Sequence, residues 1–375
     1  MKLNCVLLAP DSFKGTLSAQ EVCDIEAQVI RKRFPEAEIL TLPMADGGEG
    51  MTESYLRLLG GTRVACQVTG PLGEKVDAAY GILPDGSAVM EMAAAAGLPL
   101  VEGREAPLLA TSHGVGEMIL DAVERGAKKK ILLGLGGSAT NDCGIGMAAA
   151  LGYRFLSAEG EPVIPIPQNM QKIRRILPPA DLPEVEIVAA CDVDNPLTGP
   201  QGATHIFGPQ KGVDVQTLPI LEAGMCAMAR LFREQLGADV EMTPGAGAAG
   251  GLGAAIQAFL GGVLRPGIEL LLDTARFDTL LERADLVITG EGRIDGQSAH
   301  GKVPAGVGKR CMAQNVPCIA LCGSIGPGAE SAYDIGLTAI FAAVSGIGSL
   351  EDIRRTCRED LASLTDSVLR LLALS

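Results

Sequence analysis

The chain has 375 residues, room for two domains at roughly 100–200 residues each, and 47% of them are hydrophobic. With 3% aromatic residues and no tryptophan, the core must be built from Ala, Val, Ile and Leu. Its 31 Lys and Arg against 45 Asp and Glu leave a net charge of −14, which makes nucleic acid and anionic membrane surfaces poor partners.

Taken in chain order, short apolar runs alternate with helical patterns. LNCVLLA (3–9) reads as a buried strand. Ser18 with Glu21 three residues on forms a capping box, opening a helix that Pro35 helps to end. EILTLP (38–43) is the next strand, and MTESYLRLLGG the next helix. The order β-α-β-α predicts a parallel, doubly wound sheet. RVACQV, VDAAYGIL and SAVMEM, parted by TGPLG and PDG turns, predict antiparallel pairing instead.

Beyond them a helix is expected from Thr111 to Gly126, then strands at KILLGL and EIVAA (186–190), and a long amphipathic helix over 215–237. The uncharged stretch from Met242 to Leu264 tempts a transmembrane assignment. Its seven glycines make it too weakly apolar, and it reads as a glycine loop feeding a buried helix. DLVITG (285–290), PCIALCG and TAIFAAV return to strand-helix alternation, with a last helix from about Leu350. The two chain ends resemble each other and the middle does not. The fold class expected is therefore α/β in two domains: one parallel sheet built from residues 1–65 and 286–375, and an inserted mixed-sheet α/β domain at 66–285.

The apolar run at the N-terminus is shorter than the roughly 7–15 residues of a signal-peptide core. Ten scattered cysteines form no CxxC pair, and three histidines are few for a zinc site. Reduced thiols in the cytoplasm are the expectation.

Forty-eight glycines cluster behind the apolar runs, against roughly 7% in an average protein, and so mark tight loops at strand ends. These loops are PDSFKG (10–15), MADGGEG (44–50), GGSATND (136–142), CDVDNPL (191–197), GEGRIDGQSAHGK (290–302) and CGSIGPG (322–328). Ligands of open α/β sheets bind at that edge. GGSATND lacks the GK[ST] ending of a P-loop, so a phosphate held by its amides needs positive charge from elsewhere. Lys14, Lys211, Arg293 and Lys302 lie in Gly- or Pro-containing loops and are the candidates, whereas Lys128, Lys129 and Lys130 read as a solvated run. Asp11, Asp46, Asp142, Asp192, Asp194, Glu291 and Asp295 supply acids for Mg²⁺ or for general base work, or merely for helix capping. His113, His205 and His300 carry no Ser/His/Asp ordering.

Together LAPDSFKGTLSA, PMADGGEG, GLGGSATND, ACDVDNPL, FGPQKG, PGAGAAGGLGA and ITGEGRIDGQSAHGKVP resemble the bacterial class I glycerate kinase family over essentially the whole chain. Cys143 departs from the glycine expected of that pattern. The resemblance implies ATP-dependent phosphorylation of D-glycerate, usually on the 2-hydroxyl, with Mg²⁺. It also implies a flavodoxin-like fold for the part built from both termini, and it leaves a homodimer open. Under it, Arg293 grips the carboxylate, Asp192 or Asp295 orients or deprotonates the hydroxyl, and Lys14 joins them as a catalytic cation. One of Asp11, Asp46 or Asp194 helps to hold metal. Substrate and phosphate contacts fall to Ser12, Gly47, Gly48, Gly136, Gly137, Ser138, Thr140, Asn141, Asn195 and Lys211, and to Glu291, Gly292, Gln297, Ser298 and Lys302. A kinase of another small hydroxy acid and a non-catalytic phosphometabolite sensor are the competing readings.

Overall fold

A computed structural model describes residues 3–13, 15–44, 50–296, 298, 302–344 and 350–374. β1 (Cys5–Pro10) is buried along its whole length. It leads to α1 (Ala19–Arg33), where Ser18 Oγ accepts the Glu21 N–H and the Glu21 carboxylate accepts the Ser18 N–H, the capping box foreseen from the sequence. β2 (Glu38–Thr41) and α2 (Met51–Leu59) follow. Next come β3 (Thr62–Thr69), β4 (Lys75–Ile82), β5 (Ala88–Glu91), α3 (Ala93–Ala96) and α4 (His113–Glu124). β6 (Lys130–Gly134) and α5 (Ile145–Ala150) precede a small hairpin of β7 (Arg154–Leu156) and β8 (Arg175–Leu177). β9 (Glu186–Ala190), α6 (Ala203–Phe207), α7 (Leu218–Leu236), α8 (Ala248–Leu260) and β10 (Val263–Arg265) complete the middle of the chain.

The remainder begins with α9 (Gly267–Thr274), α10 (Phe277–Leu281), β11 (Leu286–Gly290) and β12 (Arg293–Ile294). It ends with α11 (Val303–Gln314), β13 (Cys318–Cys322), β14 (Ser324–Ile325), β15 (Ala339–Ala342) and α12 (Leu350–Leu372).

Two compact units result, Met1–Asp46 with Ile268–Ser375, and Gly47–Gly267. The first holds a five-stranded sheet of order β15-β13-β11-β1-β2, parallel at every pairing. Numbered within the sheet that order is 2-1-3-4-5, the flavodoxin-like doubly wound arrangement. β1, β11 and β13 are buried end to end, as strands covered on both faces must be. The second unit holds a six-stranded sheet of order β10-β9-β6-β5-β4-β3, in which only the β3–β4 and β4–β5 pairings are antiparallel. Its core includes Phe259, whose ring meets those of Tyr153, Phe155 and Phe232 at centroid distances of 4.8, 6.1 and 5.1 Å.

The units part near residues 46 and 267, whereas the sequence reading draws its boundaries near 65 and 285. Two sets of contacts account for the difference. The Glu91 carboxylate at the end of β5 accepts the Gly50 and Thr52 N–H groups at 2.9 Å each, anchoring α2 to the six-stranded sheet. Arg310 of α11 pairs with Glu269 and Asp273 of α9 and with Asp278 of α10, anchoring both helices to the five-stranded one.

Among the described residues no helix is long and apolar enough to cross a membrane. The uncharged stretch from Met242 comprises a turn, α8 and part of β10. Near its start α8 is bent at Ala249–Gly251. Gly250 has φ +66°, and a Cβ there would stand 2.0 Å from the Thr140 carbonyl oxygen. No other residue lets the two glycine clusters pack this closely.

Candidate active site

In the first unit the strand order reverses between β1 and β11, and in such sheets ligands bind beyond the strand ends at that point. A cavity of about 400 Å³ lies there. The Asp11 N–H donates to the Gly290 carbonyl at 2.8 Å, carrying the parallel ladder past β1 and setting Asp11 beside Glu291. Both line the cavity and are 5% and 7% exposed. A Cβ on Gly290 would stand 1.9 Å from the Leu321 carbonyl oxygen, so the β11 tip passes β13 at a distance only glycine permits.

Positive charge comes from two side chains. Lys302 opens α11, and its Nζ lies 3.9 Å from the Glu291 carboxylate. The positive end of that helix's dipole adds to the potential. Arg293 Nε is 3.5 Å from the Asp295 carboxylate, and its side chain is 61% exposed, so the guanidinium can turn to a ligand. Ser298 stitches the turn between them: its Oγ accepts the Asp295 N–H at 3.1 Å, and its N–H donates to the Asp295 carbonyl at 2.9 Å.

Of the residues expected from the sequence, Asp11, Ser12, Glu291, Gly292, Arg293, Asp295 and Lys302 thus line one cavity. Ser298 is fully buried and holds the turn behind them. Lys14, Asp46, Gly47, Gly48, Gln297 and His300 lie outside the described residues. The sequence reading missed the contribution of α12, whose Ile353, Cys357 and Asp360 line the same cavity. Their i, i+4, i+7 spacing is the usual signature of a packing face, so nothing local marks them. Arg354 Nε donates to the Gly15 carbonyl at 3.2 Å and Arg358 pairs with Glu21, which ties α12 to the loop that follows β1 and to the first turn of α1.

In the second unit the parallel neighbours β6 and β9 end in the loops 135–144 and 191–197. The first is held on both sides. Leu98 N–H donates to the Gly137 carbonyl and Ala139 N–H to the Ala96 carbonyl, each at 2.9 Å, while Cys143 N–H donates to the Gly250 carbonyl at 3.0 Å. Gly136 and Gly137 stay exposed, whereas Ser138, Thr140 and Asn141 are buried. Cys143 adopts φ +51°, the left-handed region that the expected glycine would enter without strain.

Lys211 is 2% exposed and lies beneath this loop. Its ammonium donates to Ser138 Oγ at 2.7 Å and to the Thr140 carbonyl at 2.8 Å. Burial pushes its pKa down to about 7, against the pull of the Asp142 carboxylate. Asp142 itself is a structural cap. Its carboxylate accepts the N–H and Oγ–H of Ser112 at 2.7 and 2.8 Å, and the N–H groups of Gly144 and Gly146 at 3.1 and 3.2 Å. Burial raises its pKa despite those donors.

On the neighbouring loop Asp192 accepts the Gly267 N–H at 2.8 Å, Asn195 Nδ2 donates to the Gln201 carbonyl at 2.8 Å, and Asp194 is exposed. Asn141 Nδ2 donates to Thr204 Oγ1 at 3.1 Å. The two remaining histidines sit beside carboxylates, His113 3.8 Å from Glu117 and His205 3.5 Å from Glu222. The expected catalytic acids therefore divide, Asp192 in the second unit and Asp295 in the first.

Comparison with known proteins adds a family. A model of the glycerate kinase family matches residues 6–373. The chain is 44% identical over 361 residues to a glycerate kinase of Bacillus cereus, covering 95% of this chain and 94% of that one. It is 41% identical over 375 residues to the glycerate 2-kinase of Escherichia coli K12, covering 98% of each. A crystal structure described as glycerate kinase 2 from Salmonella typhimurium LT2 superposes with a TM-score of 0.88 at 41% identity, covering 99% of both chains.

Proposed function

Because the chain belongs to the glycerate kinase family, we propose that it transfers the terminal phosphoryl group of ATP to D-glycerate, at the 2-hydroxyl. The new bond joins the substrate oxygen to phosphorus, the bridging oxygen leaves with ADP, and the hydroxyl proton passes to a carboxylate. The family match along residues 6–373 carries this reading. In this reading the acid occupies the cavity at the switch point of the five-stranded sheet.

Phosphoryl transfer asks mainly for positioning and charge neutralisation. Arg293 takes the glycerate carboxylate, since its planar fork suits two parallel hydrogen bonds, and Lys302 with the α11 start adds positive potential. Asp295, beside Arg293 in the same cavity, orients the hydroxyl and accepts its proton. In the second unit the amides of 136–138 receive a phosphate of the nucleotide, with the buried Lys211 beneath them.

Mg²⁺ is the metal this donor set fits. No cluster of three or more ligating side chains occurs among the described residues, but Mg²⁺ needs only one or two carboxylates when phosphate and water complete its shell. The adjacent, nearly buried Asp11 and Glu291 supply two. A bound Mg²⁺ neutralises phosphate charge. Ten free cysteines suit a reducing cytoplasm.

Incubation with ATP, Mg²⁺ and D-glycerate, with the phosphorylated position read by NMR, tests the reading; 2-phosphoglycerate is the expected product. Faster turnover of tartronate or erythronate would reassign the substrate, and no acid-dependent ADP release would end the kinase reading.

A further inference from the structure

The usual phosphate lysine is missing after the glycine loop GGSATND, yet a cation lies beneath that loop. Lys211 follows a short turn after α6, 73 positions from Ser138, and its ammonium meets the loop from inside. Two of its protons go to Ser138 Oγ and the Thr140 carbonyl. A hydroxyl that accepts from an ammonium points its own hydrogen elsewhere and becomes a stronger donor, because successive hydrogen bonds polarise one another. Among the described residues the Ser138 hydroxyl hydrogen has no acceptor.

Two further atoms of the same loop are short of partners. Thr140 Oγ1 and Asn141 Oδ1 are fully buried and make no hydrogen bond among the described residues. Buried polar groups are nearly always paired, so this loop has polar capacity that the described residues do not use.

We propose that Lys211 is a positioning residue for the reaction: its buried ammonium orients and polarises the Ser138 hydroxyl, which then donates to a phosphate oxygen of the nucleotide. This rests on the reading that loop 136–141 receives that phosphate. Lys211 then acts through Ser138, without itself meeting the ligand.

The charged group that acts on Lys211 is Asp142, whose carboxylate is held by Ser112, Gly144 and Gly146, while Glu105 packs on the neighbouring Gly212. With a pKa brought down to about 7, the ammonium loses its proton in the range where the enzyme can be assayed.

The test is steady-state kinetics on the full chain, with ATP and D-glycerate varied from about pH 7 to about pH 9. In the wild type the KM for ATP should climb with pH while the KM for glycerate stays level. Lys211→Met should raise the KM for ATP roughly 10- to 100-fold at the lower pH and abolish its pH dependence. Ser138→Ala leaves Lys211 in place and should give a similar loss, and the double variant should be no worse than either single one. Additive losses, or a Lys211→Met variant with the wild-type KM for ATP, would overturn the proposal.

Amide hydrogen exchange separates this failure from that of the underlying reading. ADP should protect residues 135–144 of the wild type. Protection together with an unaffected Lys211→Met variant discards the positioning role alone, whereas no protection discards the phosphate-loop reading and the proposal with it.

Discussion

The Asp192 carboxylate accepts the Gly267 N–H at 2.8 Å, at the first residue of α9. It thus satisfies one of the unpaired donors of a helix start, and any second role has to be separated from this one. Asn keeps an oxygen for that bond and loses the basicity.

Substitution to Asn at both acids therefore locates the proton acceptor. Asp295→Asn is expected to cut turnover by roughly 10²–10⁴ with little change in the KM for ATP. Should Asp192→Asn cause the larger fall while Asp295→Asn turns over normally, the acceptor is Asp192.

Arg293 and Lys302 are predicted to act on glycerate binding rather than on stability. Arg293 is 61% exposed, and so contributes little to the core. Arg293→Ala should raise the KM for glycerate roughly 10- to 100-fold, and Arg293→Lys should recover only part of this because the fork is lost. The melting temperature should stay within a degree or two of wild type. A large drop would show that Arg293 supports the turn around Asp295 instead.

Glu26 predicts a pH-dependent stability. It is fully buried in α1, neither carboxylate oxygen has a hydrogen-bond partner among the described residues, and burial raises its pKa well above the ordinary value. In the folded chain it keeps its proton, while in the unfolded chain it ionises near pH 4.3. Its contribution is therefore intact at acid pH. It declines by up to about 1.4 kcal/mol per pH unit above that point, until the folded-state pKa is passed. Glu26→Leu should gain stability relative to wild type as the pH rises from about 5 to about 8. A difference that does not vary with pH would mean the carboxyl is ionised in the fold.

Arg310 predicts the opposite separation from Arg293. Its guanidinium reaches Glu269 at 2.6 Å, Asp273 at 2.5 Å and Asp278 at 2.6 Å, and its side chain is 21% exposed. Replacement by Met leaves three acids facing one another and should lower stability by about 1–3 kcal/mol in denaturant. The KM values should hardly move. A change below about 0.5 kcal/mol would class the cluster with ordinary surface ion pairs.

Much of this was legible in the sequence. The Ser18–Glu21 capping box, the buried run at β1, the helix ending at Gly237 and the glycine loops behind β6 and β11 all depend on residues within a turn or two of one another. Local periodicity and cap chemistry determine such features, so they could be assigned without a partner in view. That the chain ends share a sheet also followed, from the likeness of their patterns. What only the tertiary structure decided is which distant pieces meet. Strand pairing set Asp11 against Glu291, helix packing turned Ile353, Cys357 and Asp360 toward the cavity, and a turn after α6 carried Lys211 beneath Ser138. No local pattern encodes these meetings. They follow from strand order and from which faces are buried, and both are properties of the whole chain.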